Sequence, residues 1–193
     1  MQSVIAAARR EGPMQPVIVH LVEAGTDIRT IESLGKIQSI TYMPDRAVHH
    51  VITVAPGRWS APANSADMIV SHLSVSWSRL PLLVALRAAY PAVPLVHVEH
   101  RHAASDRVLG RMPGLRRMSL LRASYALFDW VVTAHAGQAE FLRGNGLVEE
   151  HSLLALNSNL NLERFLSREL SACSTGQAAG RIGETAPLAI AGE

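Results

Sequence analysis

Cysteine is nearly absent from the 193 residues: Cys173 is the only one, and it stands in a polar stretch. An internal disulfide is thereby excluded, and a reducing compartment is the expected setting. Lysine is as scarce, with Lys36 alone, so nearly all positive charge is arginine. A formal net charge of +2 gives no global electrostatic argument for nucleic acid, and any electropositive site must be local. Long apolar runs are missing too. Residues 1–12 have no signal-peptide core, and Pro81, Arg87 and Pro91 interrupt the most apolar region before it could span a bilayer. No repeat of solenoid period occurs. The expectation is a soluble, cytoplasmic protein.

What is present is an ordinary globular balance, 48% hydrophobic and 18% charged, in a chain long enough to bury one sizeable core. Its organising stretch is Val93-Pro94-Leu95-Val96-His97-Val98-Glu99-His100-Arg101-His102. An apolar run that turns abruptly into imidazoles, a carboxylate and a guanidinium reads as a buried parallel strand whose carboxyl end opens into a crevice. In open α/β sheets ligands bind there. Three other stretches repeat the plan: Val17-Ile18-Val19-His20-Leu21-Val22-Glu23-Ala24-Gly25, Asp67-Met68-Ile69-Val70-Ser71-His72 and Trp130-Val131-Val132-Thr133-Ala134-His135.

Between these strands lie helical patterns. Ile28, Ile31 and Leu34 suggest a short helix ending at Gly35, while residues 50–55, stopped by Pro56-Gly57, read as a further strand. Leu80, Leu83, Val84 and Leu86 predict a helix entered through Ser78, with Pro81 in its first turn. Leu120, Leu121, Ser124, Leu127 and Phe128 mark one face of another, and its four apolar members are assigned to the core. Residues 138–142 form a short helix closed by Gly144-Asn145-Gly146, and residues 153–156 a last strand. Alternation of this kind predicts an α/β, Rossmann-like, doubly wound and mostly parallel sheet. Residues 1–16 read as a poorly ordered leader, 17–166 as the Rossmann-like domain and 167–186 as a linker. Residues 187–193 read as the first strand of a second domain that is cut off.

From Asp67 to Phe165 the motifs resemble the amino-terminal half of group 1, family 4-like glycosyltransferases of the GT-B fold. Asp67-Met68-Ile69-Val70-Ser71-His72 is similar to the family's acidic-apolar strand ending in histidine. Pro94-Leu95-Val96-His97-Val98-Glu99-His100 is similar to the strand that delivers a histidine to the interdomain cleft. Phe128-Asp129-Trp130-Val131-Val132-Thr133-Ala134-His135 matches an aspartate-led strand, with His135 where serine is commoner. Leu156-Asn157-Ser158-Asn159-Leu160-Asn161-Leu162-Glu163-Arg164-Phe165 is similar to the segment written Pro-Asn-Gly-Val-Asp followed by Phe. Asn159 takes the glycine position, which asparagine tolerates because it enters the left-handed region more easily than most residues.

The resemblance implies a catalytic, cleft-facing His100, with Gly25, His72, Arg101 and His102 lining the acceptor and donor cleft. Gly25 is the single glycine where the family often carries a pair, and it lets backbone come close to a ligand. The implied reaction is retaining transfer of a sugar from a nucleotide-diphosphate sugar to a glycan or lipid-linked acceptor, with no cofactor and no metal. The family's donor-binding groups sit in its carboxyl half, so this stretch is expected to be inactive alone and to need that domain or a partner subunit. The competing reading is a non-catalytic interaction module that docks onto such a partner.

Other chemistries fare worse. His97, Glu99, His100 and His102 invite comparison with a metal cluster, but strand alternation sends His97 and Glu99 to one side and His100 and His102 to the other. Arg101, Arg107, Arg111, Arg116, Arg117 and Arg122 are the only local basic concentration, suited either to an anionic membrane surface or to a solvated helix face. Asp67, Ser71 and His72 lie close in sequence but lack the Gly-x-Ser-x-Gly elbow of a hydrolase. Gly25 is followed by Thr26-Asp27-Ile28, without a dinucleotide-binding fingerprint.

Overall fold

Branched apolar side chains in uninterrupted runs favour strands buried on both faces, and parallel sheets are where such strands are found. In the computed structural model, which describes residues 16–24, 47–55, 66–100, 114–133, 136–155, 162, 165–166 and 168–171, six of them form one sheet. They are β1 (Val17–Glu23), β2 (Val48–Val54), β3 (Met68–Ser71), β4 (Leu95–Glu99), β5 (Trp130–Thr133) and β6 (Leu153–Ala155). Every pairing is parallel, in the order β2-β1-β3-β4-β5-β6. The chain steps outward from β1 to β2, returns past β1 to lay down β3, and then proceeds the other way. The order therefore reverses between β1 and β3, and the crevice at their carboxyl ends is the topological switch point. This is the α/β, Rossmann-like, doubly wound sheet that the alternation predicts.

One face of the sheet packs α1 (Leu80–Ala89), α2 (Gly114–Tyr125) and α3 (Ala136–Gly144). Leu83 and Leu86 of α1, Leu120 and Leu121 of α2, and Leu142 of α3 meet Val19, Leu21, Ile69, Leu95 and Val131 there. All are almost fully buried, each leucine contributing about 2 kcal/mol of transfer free energy. The opposite face, with Ile18, Val22, Met68, Val70, Val96, Val98 and Val132, is closed by Leu162, Leu166 and Leu170, spaced four apart as one helical stripe.

Local chemistry sets the ends of these elements, with two departures from expectation. The first helix begins at Arg79 rather than Ser78: Arg79 holds the N-cap position without a side-chain cap, and the Ser78 hydroxyl lies 3.0 Å from that of Ser76. The Arg79 guanidinium is engaged elsewhere, as described below. Leu127 and Phe128 belong to the core but not to the helix, because α2 closes through i−3 bonds from Leu127 N–H to Ser124 O and from Phe128 N–H to Tyr125 O. The stop expected at Gly144-Asn145-Gly146 is a Schellman motif. Gly146 takes φ +57°, its N–H bonds Arg143 O at 3.0 Å, and Leu147 N–H bonds Leu142 O at 3.0 Å.

The two aspartates that lead strands have a structural role at the amino edge of the sheet. Asp67 Oδ2 accepts from Val17 N–H at 2.7 Å while Asp67 N–H donates to Val17 O at 2.8 Å. Asp129 does the same to Leu95, at 2.8 and 2.9 Å, and its Oδ1 also receives Arg87 Nη2 at 2.7 Å. Each carboxylate satisfies the first N–H of a neighbouring strand and so pins its register. Asp129→Ala is expected to cost about 1–2 kcal/mol in urea unfolding, with Asp129→Asn costing less because it keeps an acceptor.

Candidate functional site

Strand β4 lies next to β3 with Ser71 opposite His97, so the residues that follow both strands emerge side by side at the carboxyl rim. There the Nδ1 of His72 lies 2.7 Å from the Nε2 of His100, with the rings stacked at 5.0 Å between centroids. The two histidines singled out in the sequence thus share one rim, at and beside the switch point. Gly25, Arg101 and His102 lie outside the described residues, as do Arg107, Arg111, the helix expected near Ile28, His135, the asparagine-rich segment 156–161 and the candidate second-domain strand.

The contact between His72 and His100 is the end of a longer file that sequence reasoning missed. His72 Nε2 faces His20 Nδ1 at 3.1 Å, and His20 Nε2 faces His49 Nδ1 at 2.9 Å. Successive rings stack at 5.4 and 5.2 Å. Register explains why. His49 opposes Ile18, two residues before His20; His20 opposes Val70, two before His72; and Val98, which falls beside His72, is two before His100. A two-residue stagger keeps every ring on the same side of the pleat, and the file climbs diagonally from the edge strand β2 to the rim. Burial depresses the basicity of three of these imidazoles. His20 is lowered to about 3 by burial and by neighbouring His49. His72, almost fully buried, is held well below the ordinary value by burial and then by His20, His100 and His97. His100 is lowered by burial and His97, with Glu99 opposing. These three rings are neutral near pH 7.

A different polar group occupies the other face of β4, as alternation requires. Glu99 accepts the Tyr125 hydroxyl at 2.9 Å and lies 3.4 Å from His97 Nε2. The His97 ring rests against Phe128 at 5.0 Å, and its Nδ1 is buried without a hydrogen-bond partner. Burial, the Glu99 charge and the hydrogen bond to it push the Tyr125 phenol upward, so it stays a donor. His97 and Glu99 therefore belong to the side covered by α1, α2 and α3, away from His100, and among the described residues no group of three or more His, Cys, Asp or Glu is placed to hold one metal ion.

At the end of β1, Glu23 Oε1 receives Arg79 Nη2 at 2.8 Å and Nε at 3.2 Å, and Oε2 receives the Ser74 hydroxyl at 2.7 Å. Burial alone would raise the Glu23 carboxyl, but the Ser74 and Arg79 hydrogen bonds and the guanidinium charge bring it below its usual range. The pair ties β1 to the start of α1 on one flank of the switch point. Trp77, in the connection that leaves the carboxyl end of β3, is 50% exposed and offers a flat apolar surface. Asp67, by contrast, sits at the amino edge, at the far end of β3 from His72, which removes any Ser71-His72-Asp67 triad.

Arg116 and Arg122 are exposed on α2 and Arg117 is half-buried, with Leu115 at 87% exposure beside them. No helix among the described residues is long and apolar enough to cross a membrane. The fold and rim thus define a Rossmann-like lobe with an imidazole-lined carboxyl edge. No family model matches the chain, and no curated protein is significantly similar to it.

Proposed function

We propose that this chain is the acceptor-side lobe of a retaining glycosyltransferase of the GT-B type. It supplies one wall of a cleft in which a sugar passes from a nucleotide-diphosphate sugar to a hydroxyl of a glycan or lipid-linked acceptor. The observation that carries the reading is the His100 ring at the carboxyl rim of β4, held by His72 at 2.7 Å beside the switch point. A neutral imidazole placed there can accept a proton from an acceptor hydroxyl or donate a hydrogen bond to it. The exposed face of Trp77, in the connection that leaves β3, suits packing against the C–H face of a pyranose. Gly25, Arg101 and His102 complete the cleft in this reading. The donor-binding groups come from a second lobe, in line with the resemblance, and the reaction uses no metal or organic cofactor. Leu115, Arg116 and Arg122 on α2 face anionic lipid at the cytoplasmic surface, where a lipid-linked acceptor is found.

Saturation-transfer NMR on the chain with a panel of oligosaccharides and nucleotide-diphosphate sugars tests the acceptor half of this claim. Oligosaccharide binding is expected, weakened about tenfold in His100→Ala, equivalent to the loss of about 1.4 kcal/mol. Glycan binding that is absent, or indifferent to His100, sinks the proposal. Adding a separately produced GT-B donor lobe is expected to restore transfer; association without turnover would make the chain a docking module instead.

A further inference from the structure

Each neutral imidazole carries one N–H and one lone pair. His20 and His72 use both ring nitrogens inside the file, so each must donate at one side and accept at the other. That leaves two neutral arrangements with all three contacts satisfied. In the first, every ring is protonated on Nε2 and donation runs from His100 through His72 and His20 to His49. In the second, every ring is protonated on Nδ1 and donation runs the opposite way. Any mixture sets two lone pairs or two N–H groups against each other at a buried contact, which costs about 1–3 kcal/mol.

We propose that His49, His20, His72 and His100 form a proton relay, through which the edge of the sheet sets whether the His100 ring accepts or donates a proton at the rim. The balance is simple. Starting with all rings protonated on Nε2, His100 takes up one proton on Nδ1 and passes its Nε2 proton to His72 Nδ1. His72 passes its Nε2 proton to His20 Nδ1, His20 does the same to His49 Nδ1, and His49 gives up its Nε2 proton. One proton enters, one leaves, and no ring stays charged. His100 is now a donor through Nδ1, and the reverse passage returns it to an acceptor. A group that first takes a proton and later returns it is thus reset without rotation of any ring.

Three features favour this use over simple packing. His49 is partly exposed on the edge strand, while His20 is fully buried and His72 nearly so, giving the file an outer end and a sealed middle. Burial keeps His20, His72 and His100 neutral, as the two-state argument requires of the inner rings. The titratable groups that bear on the file from β4 are His97, which opposes charge on His72 and His100, and Glu99, which favours it on His100 alone. The relay rests on the imidazole geometry and not on the sugar-transfer reading, so it is measurable without substrate.

Long-range 1H–15N correlation on 15N-histidine-labelled full chain, at about pH 8 and so above the ordinary imidazole pKa of about 6.5, reads the tautomer of each ring. In the unaltered protein all four rings are expected in one common tautomer; opposite tautomers within the file overturn the relay. Two substitutions at the outer end then force its direction. In His49→Glu a carboxylate can only accept from His20 Nε2, which places His100 in the Nε2–H form. In His49→Lys an ammonium can only donate to it, which places His100 in the Nδ1–H form. A His100 signal that switches between these two variants, three rings away, supports the relay. An identical His100 tautomer in both removes it. His49 sits on an edge strand and tolerates such changes, and the unaltered protein alone keeps the test decisive if either variant fails to fold.

Discussion

Below about pH 6.5 the protein loses stability at about 3 kcal/mol per pH unit, with two to three protons taken up on unfolding. The sign follows from the burial of His20, His72 and His100. Folded, all three have depressed basicity and stay neutral to lower pH than a free imidazole; unfolded, each regains its ordinary value and binds a proton. The unfolded chain therefore holds more protons than the native one in this window, so stability rises with pH up to the ordinary imidazole value and is flat above it. Glu23 acts in the same direction at lower pH. Its carboxyl is depressed in the fold, so its contribution is present above the ordinary carboxylate value and disappears as pH falls through the folded one. A domain near the lower end of the usual range of about 5–15 kcal/mol is thus expected to unfold within about two pH units below the imidazole value. Urea midpoints collected across this range provide the measurement. A midpoint that does not move between about pH 5 and pH 8 would falsify the neutral file, and His72→Gln should remove about one proton from the slope.

Arg79→Met is expected to destabilise the fold by about 2 kcal/mol. Arg79 is 7% exposed and gives two hydrogen bonds to Glu23 Oε1. Removing the guanidinium leaves a half-buried carboxylate without its principal charge partner, and the penalty combines the lost charge-assisted hydrogen bonds with partial desolvation of that carboxylate. The paired variant Arg79→Met with Glu23→Gln should recover about half the loss or more, because neither charge is then stranded. Chemical unfolding of the two single variants and the double variant gives the coupling energy directly. Additive losses in that cycle would mean that Arg79 acts through packing of its aliphatic stem and not through Glu23.

The strands were legible because runs such as Met68-Ile69-Val70 and Leu95-Val96 leave little alternative, and the parallel sheet followed from their alternation with helical periods. His72 and His100 were legible for a related reason. Both directly follow a strand that opens on apolar residues, and position after a parallel strand is itself a statement about the rim. His20 and His49 were not. His20 is a single imidazole inside Val17–Glu23, and nothing within that strand says which residue of another strand it meets. The information lies in the pairing register across β2, β1, β3 and β4, which is a tertiary property. Glu23 and Arg79 were hidden likewise by 56 residues of separation. The leading aspartates carried a visible pattern whose cause was not visible: Asp67 and Asp129 secure neighbouring strands at the edge opposite the rim.

The back-to-back arrangement on β4 has a consequence for tolerance to insertion and deletion. His97 and Glu99 point into the half covered by α1, α2 and α3 while Val98 and His100 point to the other. Losing one residue upstream, between Pro94 and Val96, would exchange these roles wholesale, driving a carboxylate into the aliphatic layer with Val70 and Val132 and turning His100 away from His72. The loop before β4 can therefore lengthen or shorten freely during divergence only if the strand itself keeps its parity.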